Sequence, residues 1–276
     1  MDKRAQPPRV KHPGVDRGAR RISSRCMSET TLSDPRARRL LALGWGAACH
    51  AIFAVAVAAM IGAMYVGMSR SLGTVPYPWA WAANIALILQ FPLAHSLLLT
   101  PRWQRLLARL APAHGRTLAT TTYATVASLQ LLALFALWTP TGTIWWQAEG
   151  WALWAMTGLY GASWLLLMKA SFDAGAEVQS GFLGWSSLWR GRRPVFPPMP
   201  ETGLFRLIRQ PIYVAFALTL WTVPVWTPDQ LLLASLLTAY CLLAPRHKER
   251  RFARLFGERW RAYRARTPYA IPRLTR

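Results

Sequence analysis

The chain has 276 residues, of which 53% are hydrophobic and 15 are tryptophan, yet it carries a formal charge of +22. No nucleic-acid-binding motif accompanies that charge, so nucleic acid is not the expected partner. The three cysteines, Cys26, Cys49 and Cys241, are odd in number and lack C-x-x-C spacing, which speaks against a disulfide framework or a zinc site.

Charge and apolar residues are segregated along the chain. No charged side chain lies between Arg39 and Arg70, between Arg70 and Arg102, or between Arg116 and Glu149. A hydrocarbon core of about 30 Å takes roughly 20 apolar residues in a helix, so each interval has room for a span. Of the 33 Lys and Arg residues, 32 fall in residues 1–39, 101–117, 169–209 and 246–276, which alternate with the apolar runs. The positive-inside rule makes those segments cytoplasmic and the connections 69–77, 140–149 and 227–229 external. The expected fold is an all-α polytopic membrane bundle of about six spans with both termini cytoplasmic. The lipid bilayer is its first partner, with anionic headgroups attracting the basic segments.

Taken in order, residues 1–26 are Pro- and Arg-rich with little to bury, so disorder is expected. They contain no apolar h-region and do not form a signal peptide. Met27 begins M-S-E-T-T-L-S-D-P-R, which resembles an ordinary start, so the preceding segment reads as an upstream extension. The chain divides into a basic tail (1–38), a transmembrane helical domain (39–245) and a basic amphipathic C-terminal helix and tail (246–276).

Span one runs from Leu40 to Met68 and carries His50, which suits a bond to a neighbouring helix. Span two, Pro78 to Leu99, holds Asn84, Gln90, Pro92, His95 and Ser96. Pro92 frees a carbonyl that neighbouring helices or Ser96 can answer, and His95, near the inner surface, reads equally as a packing or a site residue. Haem held between His50 and His95 is disfavoured, because they differ in depth by roughly 9 Å at the helical rise. Residues 101–116 are amphipathic, with Trp103, Leu106, Leu107 and Leu110 opposed to Arg102, Arg105 and Arg109, as suits the headgroup plane.

Span three, Leu118 to Trp138, opens with hydroxyls suited to interhelical hydrogen bonds. Trp138, Trp145, Trp146, Trp151 and Trp154 read as an aromatic belt, and span four covers Gly150 to Met168. The long inner connection 170–210, with Asp173, Glu177, an R-G-R-R run and P-V-F-P-P-M-P, is expected to fold over the cytoplasmic mouth. Pro211–Trp226 and Leu231–Pro245 are short for separate spans and read as a helical hairpin, transmembrane or re-entrant. The hairpin returns Arg209 and Arg246 to one inner face. Beyond it, Phe252, Leu255, Phe256, Trp260 and Tyr263 share one helical face.

A family resemblance rests on four marks. They are His95-Ser96 ahead of a basic Trp-containing loop, Thr122-Tyr123, the run from Gly203 through Arg209-x-Pro211-Ile212-Tyr213, and Glu249 followed by Phe256-Gly257 and Tyr263. From Gly44 to Pro272 the chain resembles the integral-membrane methyltransferases of the isoprenylcysteine carboxyl methyltransferase and phospholipid methyltransferase superfamily. Within it, the pattern is nearest the methanethiol S-methyltransferase group and the NnrU family.

The resemblance implies an S-adenosylmethionine pocket at the cytoplasmic face of an inner (plasma) membrane and an acceptor entering from the lipid. It implies cofactor contacts by Arg209, Gln210, Pro211, Tyr213 and Glu249, with His95 catalytic beside the acceptor channel, and no metal. A glutamate can pair with the cofactor's ammonium, an arginine can grip its carboxylate, and aromatic faces can neighbour its sulfonium. The acceptor is then a small or lipophilic thiol, carboxylate or amine. Two positions depart from the pattern. Gln210 stands for histidine and cannot become a cation or a general base; Lys248 stands for the first glutamate of a pair, which reverses a charge beside a cationic cofactor. These changes point to a retuned site or to a non-catalytic NnrU-like protein assisting a respiratory or redox system.

Overall fold

The computed structural model describes residues 32–98, 100–111 and 113–272. The expectations for residues 1–26, including Cys26, lie outside the described residues. Its elements are α1 (Pro35–Tyr65), α2 (Trp79–Leu98), α3 (Pro101–Leu110), α4 (Gly115–Ala136), β1 (Trp146–Gln147), α5 (Gly150–Asp173), α6 (Ala176–Gln179) and α7 (Phe182–Trp189). A 3-10 turn (Gly203–Arg206), α8 (Pro211–Trp221), β2 (Val225–Trp226) and α9 (Pro228–Arg266) complete it. Asp34 fixes the start of α1 by accepting from the backbone N–H groups of Arg36 and Ala37, with Pro35 suited to the first helical position.

The molecule is an all-α polytopic membrane bundle. Helices α1, α2, α4 and α5 are long and apolar enough to cross a membrane. Their outward faces carry Val55, Leu89, Leu93, Leu129 and Leu165, all exposed, where hydrocarbon is the natural solvent. Inside, Met60, Met64, Ile88, Phe135, Leu220 and Leu233 form one core joining α1, α2, α4, α8 and α9.

Helix α8 and the first part of α9 form the hairpin expected from sequence, in unequal halves. With 11 residues, α8 is only about 16 Å long at the helical rise, and a bend at 222–224 leads to β2. That strand pairs antiparallel with β1, Trp146 opposite Trp226 and Gln147 opposite Val225. By contrast, α9 runs unbroken through Pro245 and joins the second apolar run to the basic helix in one element. Its backbone leaves helical geometry only at Gly257 (φ 51°, ψ −118°), a region that a side chain would strain. The offset turns Phe252, Phe256, Trp260 and Tyr263 onto Met199; Leu255, expected on the same face, is 67% exposed.

The connections 69–77, 140–149 and 227–229 meet at one end of the bundle, as the scarcity of basic residues in them implied. Asn84 exchanges two hydrogen bonds with the backbone of Thr139 (2.8 and 2.9 Å), and the Thr227 hydroxyl donates to the Gly67 carbonyl at 2.5 Å. Asp229 lies at the centre of this end. Only 1% exposed, it accepts from Trp138 Nε1 (2.9 Å), Thr141 N (2.9 Å) and the Thr141 hydroxyl (2.5 Å). Trp138 is therefore not a belt residue: it is fully buried, whereas Trp145, Trp146, Trp151 and Trp154 remain exposed.

At the opposite end, α6 and α7 pack against α1 and α4. Trp185 Nε1 donates to His50 Nε2 at 3.0 Å, which gives that histidine the neighbouring-helix bond expected of it. Gly203, at φ 59°, lets the chain turn sharply beneath Asp173, whose carboxylate accepts from Leu204 N at 2.8 Å. Glu201 pairs with Arg259 and Arg266 of α9. Thus the second half of the long connection is fastened over the base of the hairpin.

Candidate functional site

The site forms where the 3-10 turn, the start of α8 and the middle of α9 converge. Pro211 begins α8, and the two residues before it are held by the chain beyond α9: Arg209 N donates to Pro268 O (2.9 Å) and Gln210 N to Tyr269 O (3.1 Å). This pairing brings Arg209 and Gln210 to Glu249, 40 residues on. Arg209 Nε (2.9 Å) and Gln210 Nε2 (2.8 Å) both donate to Glu249 Oε1.

Arg209 has a second task. Its Nη1 donates to the carbonyls of Arg264 (3.0 Å) and Thr267 (2.8 Å), satisfying the end of α9, where a cation is favoured. Its guanidinium also lies 5.5 Å from the ring centre of Tyr269. As placed, Arg209 orients Glu249 and closes the helix end, and does not present a free fork. Gln210 is 2% exposed, and because a carboxylate fixes its amide nitrogen, its Oε1 is a buried acceptor with no partner among the described residues. An unmet acceptor beside a carboxylate suits the N–H or S–H of a ligand.

Lys248 turns into the same cluster. Its ammonium lies 5.5 Å from the ring centre of Phe205, 5.8 Å from Tyr213 and 5.4 Å from Phe252, distances at which aromatic faces attract a cation. No hydrogen bond to its Nζ accompanies them among the described residues. Burial pushes its pKa down to about 8, with Arg251 acting in the same sense and Glu249 opposing it. The unfolded chain thus binds more protons than the folded one between pH 8 and 10.5, so stability rises with pH across that window and the cost of burying the cation is fully present below it. Lys248→Met is therefore expected to melt at higher temperature than the parent at pH 7, with the gap narrowing towards pH 10. A gap independent of pH, read by thermal melting in detergent, would contradict this assignment.

Two hollows flank the cluster. One, of about 10 Å³, lies among Phe205, Gln210, Lys248, Glu249, Phe252 and Trp260 and has room for little more than a water. The other, of about 290 Å³, opens between α8 and α9 and is walled by Tyr213, Ala217, Trp221, Cys241, Leu242 and Tyr269. Gln210 borders both.

His95 stands apart from this cluster. On α2, it takes its hydrogen bond from α4: Tyr123 OH and His95 Nδ1 are 2.8 Å apart. Tyr123 in turn lies within electrostatic reach of Tyr213, Tyr240 and Arg251. The structure thus brings Arg209, Gln210, Pro211, Tyr213 and Glu249 into one place and leaves His95 outside it, bonded to Tyr123 of α4. Phe205, Phe252, Trp260 and Tyr263 complete the walls and were not singled out as site residues from the sequence. Lys248 and Phe252, four apart on one helix face, were the available signal. Among the described residues no group of three His, Cys, Asp or Glu side chains could hold a metal.

Methanethiol S-methyltransferase 2 of Bradyrhizobium diazoefficiens is 30% identical to this chain over 209 residues, 76% of the chain and 78% of that protein. A methanethiol S-methyltransferase of a Pseudomonas species is 28% identical over 240 residues, 85% of the chain and 91% of that protein. Nurim of Sus scrofa is 32% identical over 176 residues, 60% of the chain and 65% of that protein. No family model matches the chain, and no solved structure does.

Proposed function

Because the chain belongs to the family of the methanethiol S-methyltransferases, we propose that it is a membrane-embedded, S-adenosylmethionine-dependent methyltransferase whose acceptor is a small thiol. The observation that carries this reading is the shared border at Gln210. On one side, Glu249 and an unmet amide oxygen offer acceptors to a cationic ligand; on the other, an apolar hollow opens between the hairpin helices.

When bound, the cofactor supplies an activated methyl group. The chain's own residues do the rest. Glu249 pairs with the ammonium of the ligand's amino-acid end, held in orientation by Arg209, while Gln210 Oε1 accepts an N–H. Pro211 starts α8 so that Tyr213 lines the larger hollow. The apolar walls strip water from a thiol and fix its line of approach, the main contributions that a displacement on an activated carbon asks of a protein. In this reading His95, tied to Tyr123, serves the acceptor from the side of α2 and not from the walls of either hollow. In this reading the site faces the cytoplasm of a bacterial inner membrane, with both termini on that side. Residues 39–245 then form the membrane domain, and 246–276 the basic inner segment.

The detergent-purified protein is expected to bind S-adenosylmethionine and its demethylated product with saturable heat in isothermal titration, and to convert methanethiol to dimethyl sulfide. No heat up to millimolar ligand, with folding confirmed by a melt, would overturn the reading. One observation favours a second: Lys248 occupies the aromatic surround suited to a ligand's cation. A non-catalytic, NnrU-like role in a respiratory or redox system would retain such an arrangement and keep its cellular phenotype without cofactor binding.

A further inference from the structure

A lysine on a basic inner helix ordinarily extends its ammonium to water or headgroups, as the exposed Arg250, Arg254 and Arg261 of α9 do. Lys248 does the opposite. Its ammonium sits within 6 Å of three ring centres, drawn from the 3-10 turn (Phe205), α8 (Tyr213) and α9 (Phe252). Three rings from three separate elements, facing one point, are a product of tertiary structure and not of one helix's periodicity. Such a surround stabilises a desolvated cation through the negative faces of the rings and asks nothing of its hydrogen-bonding capacity. It therefore suits an ion without N–H donors better than it suits an ammonium, whose three N–H groups find no acceptor among the described residues.

We infer that the Phe205, Tyr213 and Phe252 rings form a binding site for a compact organic cation, a sulfonium or quaternary ammonium, and that Lys248 is its built-in competitor. The inference rests on the reading above in one respect: there, the cation is the sulfonium of the methyl donor. Glu249 and the unpartnered Gln210 Oε1 adjoin the rings and offer anchors for the remainder of such a ligand. With only about 10 Å³ beside Lys248, no ligand can place a cation among the rings while the lysine stays. Two like charges cannot share that desolvated space, and the flexible four-carbon stem of lysine lets it withdraw. Charge at this position thus works against the donor, which is cationic at sulfur, and spares its demethylated product, which is not. While Lys248 stays in place, the protein holds the demethylated product in preference to the donor.

Isothermal titration of detergent-purified parent, Lys248→Met, and Lys248→Met combined with Phe252→Leu tests this, with trimethylsulfonium chloride, S-adenosylmethionine and S-adenosylhomocysteine as ligands. Lys248→Met is expected to tighten trimethylsulfonium and S-adenosylmethionine by about tenfold or more, to change S-adenosylhomocysteine by less than about threefold, and to lose most of the gain when Phe252→Leu removes a ring. Equal trimethylsulfonium affinity in the parent and Lys248→Met would overturn the inference. The two readings separate cleanly. A gain for trimethylsulfonium with no S-adenosylmethionine binding in any variant upholds the cation site and removes the donor. Equal S-adenosylmethionine binding with no gain for the probe keeps the donor and removes the competitor. If Lys248→Met does not melt cooperatively, Lys248→Gln supplies the same comparison.

Discussion

Glu249→Gln is expected to abolish cofactor binding and methyl transfer, by a hundredfold or more in affinity, about 2.7 kcal/mol. Its Oε1 is the common acceptor of Arg209 and Gln210, so one atom both neutralises a guanidinium and orders the amide beside it. Glutamine preserves shape but offers a weaker acceptor and no charge, leaving Arg209 partly buried and unpaired and a ligand ammonium without a partner. Isothermal titration with S-adenosylmethionine, beside a melt to confirm folding, reads the effect directly. Affinity within threefold of the parent would remove Glu249 from the site. The same variant separates the two functional readings in cells, because a scaffold keeps its phenotype when the carboxylate is lost and a methyltransferase does not.

Asp229→Ala is expected to be the most destabilising single change outside that site. The carboxylate is buried and accepts from Trp138 Nε1, Thr141 N and the Thr141 hydroxyl. Its removal strands three donors where little water reaches, at about 1–3 kcal/mol for each group that stays unpaired. The connection at 139–141 would also come loose from the first turn of α9, and with it the anchorage of fully buried Trp138. Thermal unfolding in detergent should fall markedly, while Asp229→Asn, which keeps one acceptor oxygen, should fall less. Equal loss in the two variants would show that charge, not hydrogen bonding, holds this end.

The bundle was legible because charge segregation is a strong, long-range signal: bare apolar runs of helical length and alternating basic segments leave few topologies. The polar marks at Arg209, Gln210 and Glu249 were legible as a set through the family resemblance, and the fold brings them within hydrogen-bond reach. Other features depend on contacts that no local pattern carries. Trp138 had the type and place of a belt residue, but its partner lies 91 residues away at Asp229. Leu255 fitted the apolar periodicity of its neighbours, yet the change of backbone direction at Gly257 leaves it outside. Phe205 was read as one residue of the run from Gly203 to Tyr213 and Phe252 as part of a helix face, since a surround of rings exists only once the 3-10 turn, α8 and α9 are assembled. Lys248 was visible as a charge reversal, and only the fold shows where that charge goes.

The pairing of Arg209 and Gln210 with the carbonyls of Pro268 and Tyr269 also bears on how the protein is made. All the described helices precede those carbonyls in the chain, so a nascent polypeptide can bring them to the bilayer while Arg209 and Gln210 still lack the backbone that holds them. The cluster around Glu249 can close only once residues 268 and 269 have been made. Until then, Arg209, Gln210 and Glu249 lack the backbone pairing that sets their geometry.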